Sequence, residues 1–350
     1  MRKVERKIGK VYINAIGNTF MVSKEKEEYI KNKLPYEILK RIYFNSRVSL
    51  RQFGKELGIS YHVVKSVLEK LEKEYAIKYT LELDEVALGF VPGKIILVKF
   101  SERPSIDIIK SELANDPYVQ NAYLAEGDFD LLLHVVGLSQ QEFGAWQWKF
   151  RLKFSKQGAT LYVADISRLS IGFLPLRNEI IEKSPVLSKS EKQILMLLNS
   201  NSRMKLVEIA KKLKVKDLDR ILYIIRKLKS MGIIKKFSAL TQNPDKRLLY
   251  AYTVYVNPTE EHGRFVSEFL KSISNNQEGG IVNEYNLILD AQGFFDGLFI
   301  CVFKDGEALA KRGPDLLKAL WSKENPVIKK AILTGIIVGE WPFHLEEIKI

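Results

Sequence analysis

Cysteine is almost missing from this chain. Its single thiol, Cys301, has no internal partner, so a disulfide framework is excluded; set in an apolar run, it reads as a buried thiol in a reducing compartment. Long apolar runs are absent too. Ile95–Val98 and Leu131–Val136 fall far short of the ~20 residues that cross a bilayer, and polar residues interrupt "VYINAIGNTFMV" after the basic start, which argues against a signal peptide. A cytoplasmic protein with no membrane partner is expected. Local signatures of chemistry are missing as well: no CxxC, no HExxH, no phosphate loop and no dinucleotide glycine fingerprint. The four histidines, His62, His134, His262 and His344, are widely spaced, and His134 reads as a core residue of an apolar strand. The expectation is a protein with no catalytic residues, no metal and no cofactor, and hence not an enzyme.

What the chain does have is positive charge, and the charge is segregated. The 350 residues carry 55 Lys and Arg against 42 Asp and Glu, a formal charge of +13. Residues 1–34 hold 9 basic against 4 acidic, residues 35–80 hold 9 against 5, and residues 185–240 hold 14 against 4. The rest is net acidic. A general surface excess would be spread evenly, whereas modular positive charge points to a polyanion.

The chain also repeats itself. "EGDFDLLLHVVG" (Glu126–Gly137) returns about 166 residues later as "QGFFDGLFICVF" (Gln292–Phe303). "LEKLEKEYAIKYT" (Leu68–Thr80) aligns with "IRKLKSMGIIKKFS" (Ile225–Ser238), and "IGFLP" (Ile171–Pro175) with "VGEWP" (Val338–Pro342). Three landmarks in one order mark a duplicated unit. Each unit opens with three amphipathic segments. In the first, Ile38, Leu39, Ile42 and Tyr43 share a helical face; Ser49 and Gln52 form a capping box; "GIS" (Gly58–Ser60) turns into a third helix striped by Val63, Val64, Val67, Leu68 and Leu71. The second repeats this with a Ser188/Glu191 box, a Lys214–Lys216 turn and a stripe of Leu218, Ile221, Leu222, Ile225 and Leu228. Three helices, a turn and a strand predict a winged helix-turn-helix. The remainder of each unit reads βαββαβ, the ferredoxin-like order, which leaves one apolar sheet face in need of cover. Trp146, Trp148, Phe150 and Phe154 mark either an interface or a core.

The predicted class is therefore α+β: two winged helix-turn-helix domains alternating with two ferredoxin-like βαββαβ domains, a pseudo-dimer in one chain. The expected boundaries are a basic hairpin and helix over 1–33, helix-turn-helix 34–88, ferredoxin-like 89–177, linker 178–187, helix-turn-helix 188–242 and ferredoxin-like 243–345. The hairpin of the first segment is centred on Gly17-Asn18.

"GDFD" (Gly127–Asp130), placed after a helix-turn-helix and inside a βαββαβ unit, together with "ELGISYHVVKSVLEKLEKEYAIKYT" (Glu56–Thr80), resembles the leucine-responsive (Lrp/AsnC) transcriptional regulators, here as a tandem duplication. The resemblance implies an effector and oligomerisation domain, and it places amino-acid effectors near Gly127, Asp128 and Asp130. The second copy, "GFFD" (Gly293–Asp296), has Phe294 for the first aspartate. Siroheme decarboxylases share this regulator-like fold.

For nucleic acid, helix-turn-helix geometry nominates Ser60, Tyr61, His62 and Lys65 of the first third helix, with Arg47 and Arg51 on phosphates. In the second unit it nominates Lys214, Lys216, Arg220 and Lys227, with Lys235 and Lys236 on the wing. Asp217 and Asp219, at the start of that third helix, would repel phosphate unless turned away. DNA is the first partner, read by two non-identical heads on an asymmetric site. RNA or the ribosome is the alternative partner, and a siroheme-decarboxylase-like enzyme a second alternative. A small-molecule effector and further homo-oligomerisation stay open.

Overall fold

A computed structural model gives the architecture, and it describes residues 4–5, 10–13, 19–22, 24–241, 248–254, 285–303, 305–311 and 327–340. Strands β1 (Val4–Glu5), β2 (Lys10–Ile13) and β3 (Thr19–Val22) form a small antiparallel sheet in which Lys10 faces Val22. The turn at Gly17-Asn18 lies outside the described residues. Helix α1 (Lys24–Asn32) leads into the first helix-turn-helix, head 1: α2 (Leu34–Phe44), α3 (Leu50–Glu56), α4 (Tyr61–Glu74) and the wing strand β4 (Ile77–Leu83). Its core follows the expected stripes, with Ile38, Leu39, Ile42, Val64, Leu68 and Leu71 buried. Ser49 caps α3 by accepting from the Gln52 N–H, while the Gln52 side chain turns to Glu56. Ser60 caps α4.

The first ferredoxin-like half comprises β5 (Lys94–Lys99), α5 (Ile106–Leu113), β6 (Val119–Gly127), β7 (Leu131–Val135), α6 (Gln140–Lys153) and β8 (Thr160–Ile171). The segment read as a linker contains a short helix, α7 (Asn178–Lys183), whose Ile180 and Ile181 are fully buried in the core of the second head. Head 2 repeats head 1: α8 (Lys189–Ser200), α9 (Leu206–Leu213), α10 (Leu218–Ser230) and β9 (Ile234–Thr241). The second sheet half supplies β10 (Leu248–Val254), β11 (Tyr285–Gly293), β12 (Gly297–Phe303) and β13 (Val327–Val338). The helix that the βαββαβ order calls for between β10 and β11 lies outside the described residues. Cys301 is buried on β12.

The two four-stranded sheets close on each other. The order β10-β12-β11-β8-β5-β7-β6-β13 is a complete barrel, with β11 on β8 and β13 on β6 joining the halves. Closure removes the edges that would otherwise template aggregation. It also covers the apolar faces left open by each half: Leu97, Tyr123 and Leu132 from one meet Leu289, Ile300 and Leu333 from the other. The alternate residues, Ile96, Val98, Leu131 and Leu133, face outward beneath α5 and α6. Phe143, Trp146, Phe150 and Phe154 pack there as core, while Trp148 points away and is 71% exposed.

The repeated hairpin turns sit at the two seams. Gly127 (φ +146°) and Gly293 (φ +143°) occupy a backbone region that favours glycine, and a Cβ on either would lie within 2.6 Å of a carbonyl oxygen of the opposing half. Asp128 clamps its seam twice, since its N–H donates to the Lys330 carbonyl and its carboxylate accepts from the Lys330 N–H, each at 2.9 Å. Phe294 makes only the backbone bond, to the Val163 carbonyl, and lays its ring on Tyr162 at 4.5 Å.

Candidate nucleic-acid interface

The two heads are joined before they meet any partner. Strands β4 and β9 pair antiparallel with Thr80 opposite Ser238, and the Ser46 and Ser202 hydroxyls meet at 2.7 Å. Each head then sends one arginine onto the other's wing strand. The Arg47 guanidinium lies 4.7 Å from the Phe237 ring, and that of Arg203 lies 4.8 Å from Tyr79. Arg47 also donates to the Ser202 carbonyl at 2.6 Å and to the Met204 carbonyl at 2.9 Å. Its burial lowers its pKa from the ordinary arginine value. Burial pushes the Tyr79 hydroxyl well up, as does its bond to Glu72.

Three other nominated cations are engaged at the head junction or beneath α10. Lys227 pairs with buried Glu191 at 2.7 Å. Burial raises the Glu191 carboxyl, but the Lys227 ammonium and the Ser188 hydroxyl outweigh it and hold the group at about 2. Lys235 pairs with Asp84 at 2.7 Å; burial opposes ionisation of Asp84, yet this lysine and the Ala87 N–H bring its pKa below the usual carboxylate range. Lys236 pairs with Glu82 at 2.9 Å and rests over Tyr43. Arg47, Lys227, Lys235 and Lys236 thus build the junction between the heads and the support of α10.

The remaining nominated residues are exposed. In head 1 the Ser60 hydroxyl is taken up by the Val63 N–H, Tyr61 and His62 stack edge to face, and Lys65 pairs with Glu69 at 3.4 Å. Arg51 is exposed on α3. In head 2, Lys214, Lys216 and Arg220 are exposed and have no ion pair among the described residues, and the same holds for Lys211, Lys212 and Arg226. The last three were missed by sequence reasoning, although Lys211, three residues before Lys214, carried a signal in its spacing. Lys214 stands in the left-handed region at φ +55°. Asp217 is turned back as the cap of α10, accepting from the Arg220 N–H at 2.9 Å. Tyr223, 66% exposed, lies one turn beyond Arg220.

The residues expected near an effector are placed at the barrel seam. Gly127 and Asp128 contact β13 as described above. Asp130 is buried, accepting from the Phe100 N–H at 2.8 Å and the Lys99 ammonium at 3.2 Å. Among the described residues no helix is long and apolar enough to cross a membrane.

Residues 18–89 match the family model of the Mga helix-turn-helix domain. An uncharacterized helix-turn-helix-type transcriptional regulator of Pyrococcus abyssi is 29% identical over 99 residues, and another, YugG of Bacillus subtilis, is 30% identical over 111. These stretches are 27% and 30% of this chain and 64% and 67% of those regulators, so the chain spans about two-thirds of each relative. Among solved structures, the siroheme decarboxylase NirDL matches 90% of this chain and 96% of its own, with a TM-score of 0.56 and 16% identity. An AsnC family regulator from Agrobacterium tumefaciens matches 39% of the chain with a TM-score of 0.33. The full-length likeness corrects the expectation that the chain is not an enzyme, because the architecture of nearly the whole chain is one that an enzyme uses. That expectation rested on local motifs, whereas a barrel of this kind gathers side chains distant in sequence.

Proposed function

We propose that this chain, which belongs with the helix-turn-helix-type proteins, is a DNA-binding regulator. In this reading it is a tandem duplication of an Lrp/AsnC-type unit, and its two non-identical heads are fixed to one another by the β4–β9 pairing and the crossed arginines. The observation that carries the reading is the basic surface of head 2. Lys211, Lys212, Lys214, Lys216, Arg220 and Arg226 are exposed, without carboxylate partners among the described residues, around the turn and outer side of α10. Uncompensated charge at the entry to a third helix suits a phosphate backbone, and Tyr223 stands where a base edge would pass. Head 1 contributes Arg51, Tyr61 and His62, with Ser60 and Lys65 committed to its own helix. The site is asymmetric because the heads differ. Effector binding by Gly127, Asp128 and Asp130 would have to compete with the bonds that close the seam.

The test is binding of the purified chain to duplex DNA, structured RNA and ribosomal subunits across a salt series. Affinity for duplex DNA should fall linearly in log–log form, with a slope of about −0.9 per phosphate engaged. Tight binding to RNA or ribosomal subunits alone would remove the regulator reading, and selection of a two-fold symmetric DNA site would remove the asymmetric one.

A second reading, an enzyme acting on siroheme, is favoured by the full-length likeness to NirDL, which has also been seen with an iron-uroporphyrin III analogue. Such a substrate carries several carboxylates. The cations lining the two described cavities, Arg168 and Lys235 in one and Lys78 and Arg177 in the other, are each engaged with Asp290, Asp84, Glu340 and Glu179 respectively. That engagement ranks nucleic acid first. Release of carbon dioxide on incubation with siroheme, with the matching loss of mass from the tetrapyrrole, would reverse the order.

A further inference from the structure

A cavity of about 260 Å³ lies where the wing strands of both heads meet the barrel, far above the roughly 15 Å³ that one water occupies on the same measure. Its walls include Asp84 and Glu85 just after β4, Lys235 on β9, and His134 on β7. His134 is 2% exposed, and its Nε2 makes no hydrogen bond.

The proton on that imidazole can be assigned from its neighbours. The Asn121 amide is oriented by two backbone groups: its nitrogen donates to the Pro175 carbonyl at 3.0 Å, and its oxygen accepts from the Glu340 N–H at 3.4 Å. The amide nitrogen therefore donates its second hydrogen to His134 Nδ1, 3.2 Å away. Nδ1 is the acceptor, so the ring is neutral and carries its hydrogen on Nε2, at the cavity wall.

Beside it, Glu85 Oε2 lies 3.4 Å from Nε2, out of line for a hydrogen bond, while Oε1 accepts from the Gly93 N–H. The two groups can sit this close to the backbone only because residue 93 lacks a side chain. A Cβ there would lie 2.9 Å from both Glu85 oxygens and from His134 Nε2. Of the other acidic walls, Asp84 is held by Lys235, and Glu82 Oε2 is ion-paired with Lys236 at 2.9 Å although no hydrogen bond reaches it. What remains is one buried N–H donor next to one carboxylate acceptor, over an apolar floor of Phe173, Leu174 and Leu176. A buried donor left unpaired is costly, so the pair favours a molecule that satisfies both groups together.

We propose that this cavity binds a small molecule presenting an amide or lactam edge, its carbonyl accepting from His134 and its adjacent N–H donating to Glu85. A 6-oxopurine and an aromatic primary carboxamide both carry that edge. The site is separate from the exposed face of α10 and from the seam turns, and an occupant would touch both wing strands.

Calorimetric titration of the full chain with nicotinamide and hypoxanthine, set against 3-acetylpyridine and 1-methylhypoxanthine, tests this without any substitution, because each control keeps the carbonyl and lacks the N–H beside it. Nicotinamide or hypoxanthine should bind at least roughly tenfold more tightly than its own control, as expected where a buried polar pair must be matched. Whichever binds identifies the heterocyclic or the carboxamide class. Gly93→Ala and Glu85→Ala should each abolish that binding, with the circular-dichroism spectrum confirming the fold. Equal binding of the controls, no binding of either amide up to its solubility, or unchanged affinity in both folded variants would overturn the assignment.

Discussion

Head 1 closes the turn between α3 and α4 with Gly58 at φ +63°, and head 2 closes the equivalent turn with Lys214 at φ +55°. Glycine adopts that conformation freely, whereas lysine is strained there by roughly 1 kcal/mol or more. The ion pairs differ in the same direction. Head 1 ties Arg41 to Glu56 and Lys65 to Glu69 and leaves Arg51, Lys55, Lys70 and Lys73 exposed, while the lysines around Lys214 have no ion pair among the described residues. The core of head 2, by contrast, is more tightly wired, with Glu191 locked between Ser188 and Lys227. Both heads keep exposed cations, and head 2 gathers more of them about its turn, at some cost in local backbone energy. The comparison teaches that the overall charge of +13 is less informative than which cations remain unpaired.

Replacing Lys211, Lys214 and Lys216 together by glutamate should break the comparison most severely. DNA affinity should fall by orders of magnitude, and the log–log salt slope should shrink by about 3, which filter binding would measure. Arg51→Glu in head 1 should change that slope by no more than about 1. Equal losses from the two heads would end the idea of a dominant head 2.

The crossed arginines come next. Arg47→Ala strands two carbonyls at the junction and removes a stacked cation, so chemical denaturation should show a loss of about 2–4 kcal/mol. Arg203→Ala should cost less, because Arg203 bonds to the hydroxyl of Tyr79 and to partly exposed Glu72 rather than to backbone carbonyls.

Acid should then separate the heads. The Glu191 carboxyl is held at about 2 in the folded chain, below its unfolded value near 4.3, so its stabilisation is present above that unfolded value and is lost as pH falls towards 2. Glu191→Gln should lower the melting temperature at neutral pH, and the difference from the parent should narrow steadily between about pH 5 and 2. A constant difference across that window would show that the pair contributes nothing through charge. The smallest expected effect is the most pointed. Lys214→Gly should raise stability by about 1 kcal/mol while weakening DNA binding, a trade of local strain for function.

Much of the fold was legible because it is written in periodicity. The stripes at Val64, Leu68 and Leu71 and at Ile221, Ile225 and Leu228 place third helices, and the Ser139/Glu142 and Ser188/Glu191 pairs close as reciprocal capping boxes. The interface was less legible. Arg47 and Arg51 look alike as sequence, yet Arg47 is drawn onto Phe237, 190 positions away, and Arg51 is left on the surface. No local pattern separates them, because the difference lies in which chain segment packs above each.

The hairpin turns show the division of labour most directly. The sequence by itself determined that Gly127 and Gly293 head two copies of one hairpin, since each repeats the same order of turn, aromatic, aspartate and apolar strand. It likewise determined where the positive charge lies and that each half leaves an apolar sheet face bare. Only the tertiary structure decided that the two bare faces cover each other in a closed barrel, that Asp128 spends its carboxylate on Lys330, and that His134 ends beside Glu85 under a glycine. The physical reason is that periodicity and charge are properties of neighbours along the chain. Pairing between strands hundreds of residues apart is set by which buried polar groups and apolar faces can be satisfied at once, and that is settled only when the whole chain packs.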